Sequence, residues 1–241
     1  MTENASDSRA VDSVALNDED QVLEVLRRSV FGLWDVVNDL TRLTPTRRPE
    51  FRVSIFGSAR IPREHWVHAA VRDLARQLAQ MGCAVITGGG PGLMEAANEG
   101  AALAGATASN VGIRVHLPFE QEVNPFVDES YEHRTFFTRL HHFVLASDAF
   151  VVVPGGIGTV LELSTIWQLL QVRKIGRETP LILIGKMWAD FVTWARSNLL
   201  RSEFELATSE DIEIPRCVDT ADEAVALLRP HYDEWLQKSP K

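Results

Sequence analysis

The chain has 241 residues, 45% hydrophobic and 24% charged, which is enough for one large domain with a substantial core. Its net charge of −9 disfavours broad binding to phosphate backbones, and no apolar run approaches the roughly 20 residues of a membrane helix. No basic segment followed by an apolar one opens the chain, and Cys83 and Cys217 lie far apart without metal or redox spacing. The expectation is a soluble, cytoplasmic protein with reduced thiols, no resident metal or cofactor, and no nucleic-acid or membrane partner.

Residues 1–20 are acidic and poor in apolar side chains, so they read as a disordered tail. Residues 21–43 place Leu23, Leu26, Val30, Leu33, Trp34 and Val37 at helical spacing, and "TPTRRPE" follows as a linker, so 21–50 form an N-terminal helix and linker. From 51 to 241 a rhythm sets in. "FRVSIFGSAR" reads as strand and turn, then 63–81 as helix. "CAVITGGGPG" is strand and turn, then 92–104 helix. "ATASNVGIRV" is a strand, 117–130 an irregular loop and 132–147 a helix. "AFVVVPGG" is strand and turn before a helix over 158–172. "PLILIG" precedes a helix over 187–200, and the short edge strand in "IEIPRCV" precedes one over 221–237. Apolar strands alternating with amphipathic helices predict an α/β domain: a single doubly wound, Rossmann-like parallel sheet with helices on both faces.

In such a sheet, ligands bind beyond the carboxyl ends of the strands. Three turns belong there: Gly57-Ser58, Gly88 to Gly92, and Gly155 to Thr159. Glycine leaves no Cβ in the way, and the helix that follows adds unpaired N–H groups and the positive end of its dipole. Together these suit an anion, most naturally a phosphate, with the Ser58 and Thr159 hydroxyls as further donors. Glycines also simply make tight turns, which any doubly wound protein needs. Leu161 stands where the third glycine of a dinucleotide fingerprint belongs, and no Gly-Lys-Ser/Thr follows either rich turn.

Glu162 admits two readings. Thr159-Val-Leu-Glu162 has capping-box spacing, in which the carboxylate bonds back to the first turn of the helix. Alternatively, a carboxylate one turn from a phosphate cradle is placed for chemistry.

"PGGIGTVLE" resembles the PGGxGTxxE motif of the Lonely Guy (LOG) family, whose members were long labelled lysine decarboxylases. "GGGPGLMEAA", "FGSAR" and "TRLHHFVLASDAFVVVPGG" are similar to its other segments, in order, over roughly 51–200. The resemblance implies a phosphoribohydrolase that cleaves cytokinin riboside 5′-monophosphates, and often AMP, to free base and ribose 5-phosphate. It implies Glu162 and Arg139 as the catalytic pair. It further implies that Ser58, Gly89, Gly90, Met94, Gly155, Gly156, Gly158 and Thr159 hold substrate and phosphate. "LPFEQEVNPFVD" resembles the longer type II members, which implies a homodimer or hexamer. Leu161 and Leu140 depart from the paired acid and the lysine of many members, which leaves the preferred base open. A non-catalytic nucleotide carrier on the same fold is the alternative.

Other residues invite blander readings. His133 and His141 share a face if both are helical, but solvated or hydrogen-bonded histidines are the simpler expectation than a metal site. Ile166, Trp167, Leu169, Leu170 and Val172 read as core, with excess width for a dimer seam. Glu95 reads as complementing a helix dipole, or less simply as a base or ribose contact.

Overall fold

The computed structural model describes residues 18–40, 49–105, 108–116, 122–201 and 203–238. The chain divides into two units, 1–46 and 47–241. In the first, α1 (Glu19–Leu40) is an amphipathic helix; Glu19 and Asp20, expected in the tail, form its acidic first turn. Residues 1–17 of the expected tail and most of the linker lie outside the described residues.

The second unit runs β1 (Phe51–Phe56), α2 (Trp66–Gln80), β2 (Cys83–Thr87), α3 (Leu93–Leu103), β3 (Asn110–Val115), β4 (Glu129–His133), α4 (Phe136–Ala146), β5 (Ala149–Val152) and α5 (Ile157–Gln171). There follow β6 (Leu181–Ile184), α6 (Lys186–Leu199), the short antiparallel pair β7 (Leu200–Arg201) and β8 (Phe204–Glu205), α7 (Ser209–Ile212), β9 (Arg216–Val218) and α8 (Ala221–Gln237).

Seven strands form one parallel sheet in the order β4-β3-β2-β1-β5-β6-β9. Its direction of winding reverses between β1 and β5, where Val53 pairs with Ala149. Both faces are covered, so alternate residues of one strand enter different cores. Val53 and Ile55 pack with Leu74 and Leu78 of α2, Leu93 of α3 and Leu228 of α8. Phe56 packs on the opposite side with Phe143 of α4, Leu163 and Ile166 of α5, and Trp188 of α6. Each such buried side chain contributes about 1.5–3 kcal/mol relative to exposure, which is why the strands read as nearly unbroken apolar runs.

One stretch departs from the expected elements. Residues 129–133, assigned from the pattern to a loop and the start of a helix, form β4, and α4 begins only at Phe136. "ESYEH" lacks apolar alternation because β4 is an edge strand with residues 129–132 exposed on either face. Its backbone ladder to β3 holds it, from Val111 opposite Glu129 to Val115 opposite His133. Thr135 then caps α4, its hydroxyl accepting from the Thr138 N–H at 3.2 Å. The small elements β7, β8 and α7 were not expected either; they are too short to carry a period.

Candidate functional site

The carboxyl ends of β1, β2 and β5 bring the three glycine turns together. The Ser58 N–H donates to the Pro154 carbonyl at 3.1 Å, and the Leu93 N–H donates to the Ser58 carbonyl at 2.9 Å. The turns border a cleft of about 610 Å³, which Ser58, Gly90, Met94, Arg139, Gly155, Gly156, Gly158, Thr159 and Glu162 all line. Gly89 does not line it. That residue is buried behind the wall, its N–H donating to the Thr87 hydroxyl at 2.9 Å and its carbonyl accepting from the Asn124 N–H at 2.9 Å.

The first turn of α5 removes the capping reading of Glu162. The N-cap is Gly156, and no side chain caps the helix. The capping box expected between Thr159 and Glu162 does not form, because the chain enters the helix three residues earlier, with Gly156 as N-cap. Thr159 is then the third helical residue and Glu162 the sixth, too deep to reach back to the cap. The first intrahelical bond is that of the Val160 N–H to the Gly156 carbonyl, at 3.0 Å. The N–H groups of Ile157, Gly158 and Thr159 precede it and have no partner within the helix.

Glu162 instead accepts a hydrogen bond from Arg139 Nη1 at 3.0 Å. Both side chains are about nine-tenths buried (11% and 10% exposed). Arg139 is itself fixed from two more directions: Nε donates to the Ile113 carbonyl at 2.9 Å, and the guanidinium lies 5.1 Å from the Phe143 ring centroid. Burial pushes the Glu162 carboxyl above the ordinary glutamate range, and the Arg139 charge and hydrogen bond oppose that push only in part. Breaking one half of such a pair is costly, since it strands the other charge. Gly88 explains how Arg139 fits: a Cβ there would collide with Arg139 Nη2 and with the Met94 sulfur.

Several lining residues were not singled out from sequence: Arg60, Arg114, Val115, Phe136 and Met187. Arg60 closes the "FGSAR" segment, whereas the other four carry no motif and only the fold gathers them. A buried polar chain that no sequence motif marks lies beside them. The Thr87 hydroxyl donates to Asn98 Oδ1 at 2.7 Å, and Asn98 Nδ2 donates to Asn110 Oδ1 at 2.6 Å. Asn124 Nδ2 donates to Asn98 Oδ1 and to the Gly90 carbonyl. This network braces the Gly88–Gly92 turn from beneath.

The remaining candidates lie elsewhere. Glu95 pairs with Arg63 at 3.1 Å and does not line the cleft. His133 is a strand residue, so it shares no helical face with His141. Its Nε2 lies 2.9 Å from His142 Nδ1, and burial lowers both of these pKa values. Ile166 and Leu170 are core, whereas Val172 is exposed. Cys83 and Cys217 are both free thiols. Among the described residues no group of three or more His, Cys, Asp and Glu could hold a metal, and no helix is long and apolar enough to cross a membrane.

A family model described as "Possible lysine decarboxylase" matches residues 94–228, more than half of the chain. No curated protein sequence matches it. Among solved structures, the molybdenum cofactor carrier protein of Chlamydomonas reinhardtii is similar at 20% identity, covering 75% of this chain and 97% of its own, with a TM-score of 0.56. The molybdenum cofactor binding protein of Rippkaea orientalis is also 20% identical, covering 77% of this chain and 98% of its own, with a TM-score of 0.55. At that identity the likeness concerns the fold.

Proposed function

The chain belongs to the LOG-type family matched by that model, and we propose that within it the chain is a phosphoribohydrolase, releasing free base and ribose 5-phosphate from a nucleoside 5′-monophosphate. AMP and cytokinin riboside 5′-monophosphates are the substrates that membership suggests, and the type II group the subfamily. The observation that carries the reading is the buried Arg139–Glu162 pair in the same cleft as the uncapped N-terminus of α5.

The chemistry follows from that juxtaposition. The free N–H groups of Ile157, Gly158 and Thr159, with the helix dipole, hold the 5′-phosphate. Breaking the ribosyl C–N bond develops positive charge on the sugar, which the Glu162 carboxylate stabilises. The carboxylate also orients a water, whose oxygen bonds to C1′ as the C–N electron pair leaves with the base. One proton of that water ends on the departing base. Arg139 favours the ionised form of Glu162 against the pull of burial. Decarboxylation through a Schiff-base cofactor does not fit, since it needs a lysine at the site and none lines the cleft among the described residues.

Chromatography of free base tests the reading. AMP is cleaved and adenosine is not; comparable turnover of the two would overturn the phosphate cradle. The carrier reading, suggested by the neighbours, predicts nucleotide binding with no base released. The family reading also favours a homodimer or hexamer, supported by Phe137 and Ile157, which are 82% and 86% exposed. Light scattering at micromolar concentration should report at least a dimer; a monomer contradicts this.

A further inference from the structure

We propose that Arg114 reads the base, and that it selects 6-oxopurine nucleotides such as GMP and IMP over the 6-aminopurine nucleotide AMP. The inference rests on the phosphoribohydrolase reading and narrows its substrate class.

Among the described residues four charged side chains line the cleft: Arg60, Arg114, Arg139 and Glu162. Arg139 and Glu162 neutralise one another at 3.0 Å. Arg60 and Arg114 stand on different walls. Arg60 follows Ser58 in the turn after β1, beside β5 and hence beside the α5 N-terminus that suits the phosphate. Arg114 belongs to β3, on the far side of β2. Two strand spacings separate β1 from β3, roughly 10 Å. The Arg139–Glu162 pair lies between these walls, because Arg139 reaches both the Ile113 carbonyl of β3 and Glu162 of α5.

A nucleotide with its phosphate on α5 and its C1′ at Glu162 therefore directs its base toward the β3 wall. Val115 is the neighbour of Arg114 on β3, and Met94 and Phe136 line the same cleft, offering apolar surface to a purine ring. Arg114 is positioned by its stem: its Cγ would stand only 3.2 Å from a Cβ on Gly89, so the side chain runs over that bare backbone. It also interacts within the protein. A guanidinium has five N–H donors in a planar fork, enough to hold a protein partner with some and a base edge with others.

The chemistry of the fork decides the base. A 6-oxopurine presents two adjacent acceptors, O6 and N7, which match two arginine donors. A 6-aminopurine presents N7 beside an N–H₂ donor, which opposes an arginine donor and suits the amide of Asn or Gln. A cation at O6 and N7 also stabilises the electron pair that the departing base takes from the broken bond. The expected preference is about tenfold or more in kcat/KM for GMP over AMP, the scale of one bidentate base contact.

The test measures base release from GMP, IMP and AMP by the wild-type protein, Arg114→Gln and Arg114→Met, with circular dichroism to confirm folding. Arg114→Gln should lower the GMP-to-AMP ratio of kcat/KM at least tenfold, and Arg114→Met should lower it less. Wild-type turnover of AMP equal to or above that of GMP, or a ratio unmoved by a folded Arg114→Gln, overturns the proposal. Calorimetric binding of GMP and AMP to a Glu162→Gln variant reads base preference without turnover. A wild-type protein that releases no base from any nucleotide refutes the hydrolase reading. The binding ratio still decides the role of Arg114: tighter GMP supports it, and equal or tighter AMP overturns it.

Discussion

The two rich glycine turns look alike in sequence and serve different masters. In the Gly88–Gly92 turn, Gly89 and Gly92 have positive φ, and a Cβ on Gly92 would stand 2.6 Å from the Ser58 carbonyl oxygen. The bare backbone of Gly88 and Gly89 is occupied by Arg139 and Arg114. Every one of these glycines is demanded by the protein itself. In the Gly155–Thr159 turn no glycine has positive φ, and a Cβ on Gly156 or Gly158 would meet no atom within 4 Å among the described residues. Nothing in the fold requires those two to be bare. Space that the protein neither fills nor needs for its backbone, at a helix N-terminus lining a cleft, is the space the proposed function assigns to the phosphate.

The largest effect tests the chemistry beside the second turn. Glu162→Gln keeps an acceptor for Arg139 Nη1 and removes the charge, so the fold should survive. Turnover should fall roughly 10²–10⁴-fold, the scale of losing a positioned acid–base or electrostatic group. The same residue sets the pH profile. The ionised carboxylate is the active form and burial raises its pKa, so kcat/KM should climb with pH to an inflection above the ordinary glutamate range. That inflection should vanish in the variant. A variant with near-normal base release would return Glu162 to a structural role.

How much of this was legible in sequence depends on the range over which each signal acts. The parallel sheet and its covered faces follow from local patterns, since runs such as Phe150–Val153 are buried on both sides. Helix starts were less legible. Thr159-x-x-Glu162 carries the spacing of a cap, yet the helix starts after Gly156 and Glu162 meets Arg139 instead. β4 was invisible because an exposed edge strand has no core to pattern it. The reach of Arg114 over Gly89 joins residues 25 positions apart, and only the pairing of β2 with β3 brings them together. Glycine content announced that backbone was exposed, but not to what.

Smaller effects should then split the two turns. Gly92→Ala places a Cβ at φ +67 against the Ser58 carbonyl. Strain of that kind costs about 2–3 kcal/mol, or roughly 5–10 °C of Tm at this size. The loss should appear in thermal melting whether or not nucleotide is present. A Tm unchanged by Gly92→Ala would mean that this turn yields readily and that the contrast is overdrawn.

Gly158→Ala should do the reverse, and its effect is the smallest and most discriminating. Gly158 lies in the first turn of α5 with negative φ and open space around its Cβ position. Alanine is a better helix former and restricts the unfolded chain, so stability should hold or rise by about 0.4–1 kcal/mol. The added methyl group enters the wall of the cleft beside the N–H groups that would receive the phosphate. A phosphate held by backbone donors at hydrogen-bond distance has no spare room, so nucleotide affinity should fall roughly tenfold, about 1.4 kcal/mol. Calorimetric titration alongside a thermal melt reads both quantities on one sample. Stability kept with affinity lost assigns the bareness of Gly158 to the ligand. Affinity kept with stability lost would assign it to the fold, and the two turns would then differ only in backbone conformation.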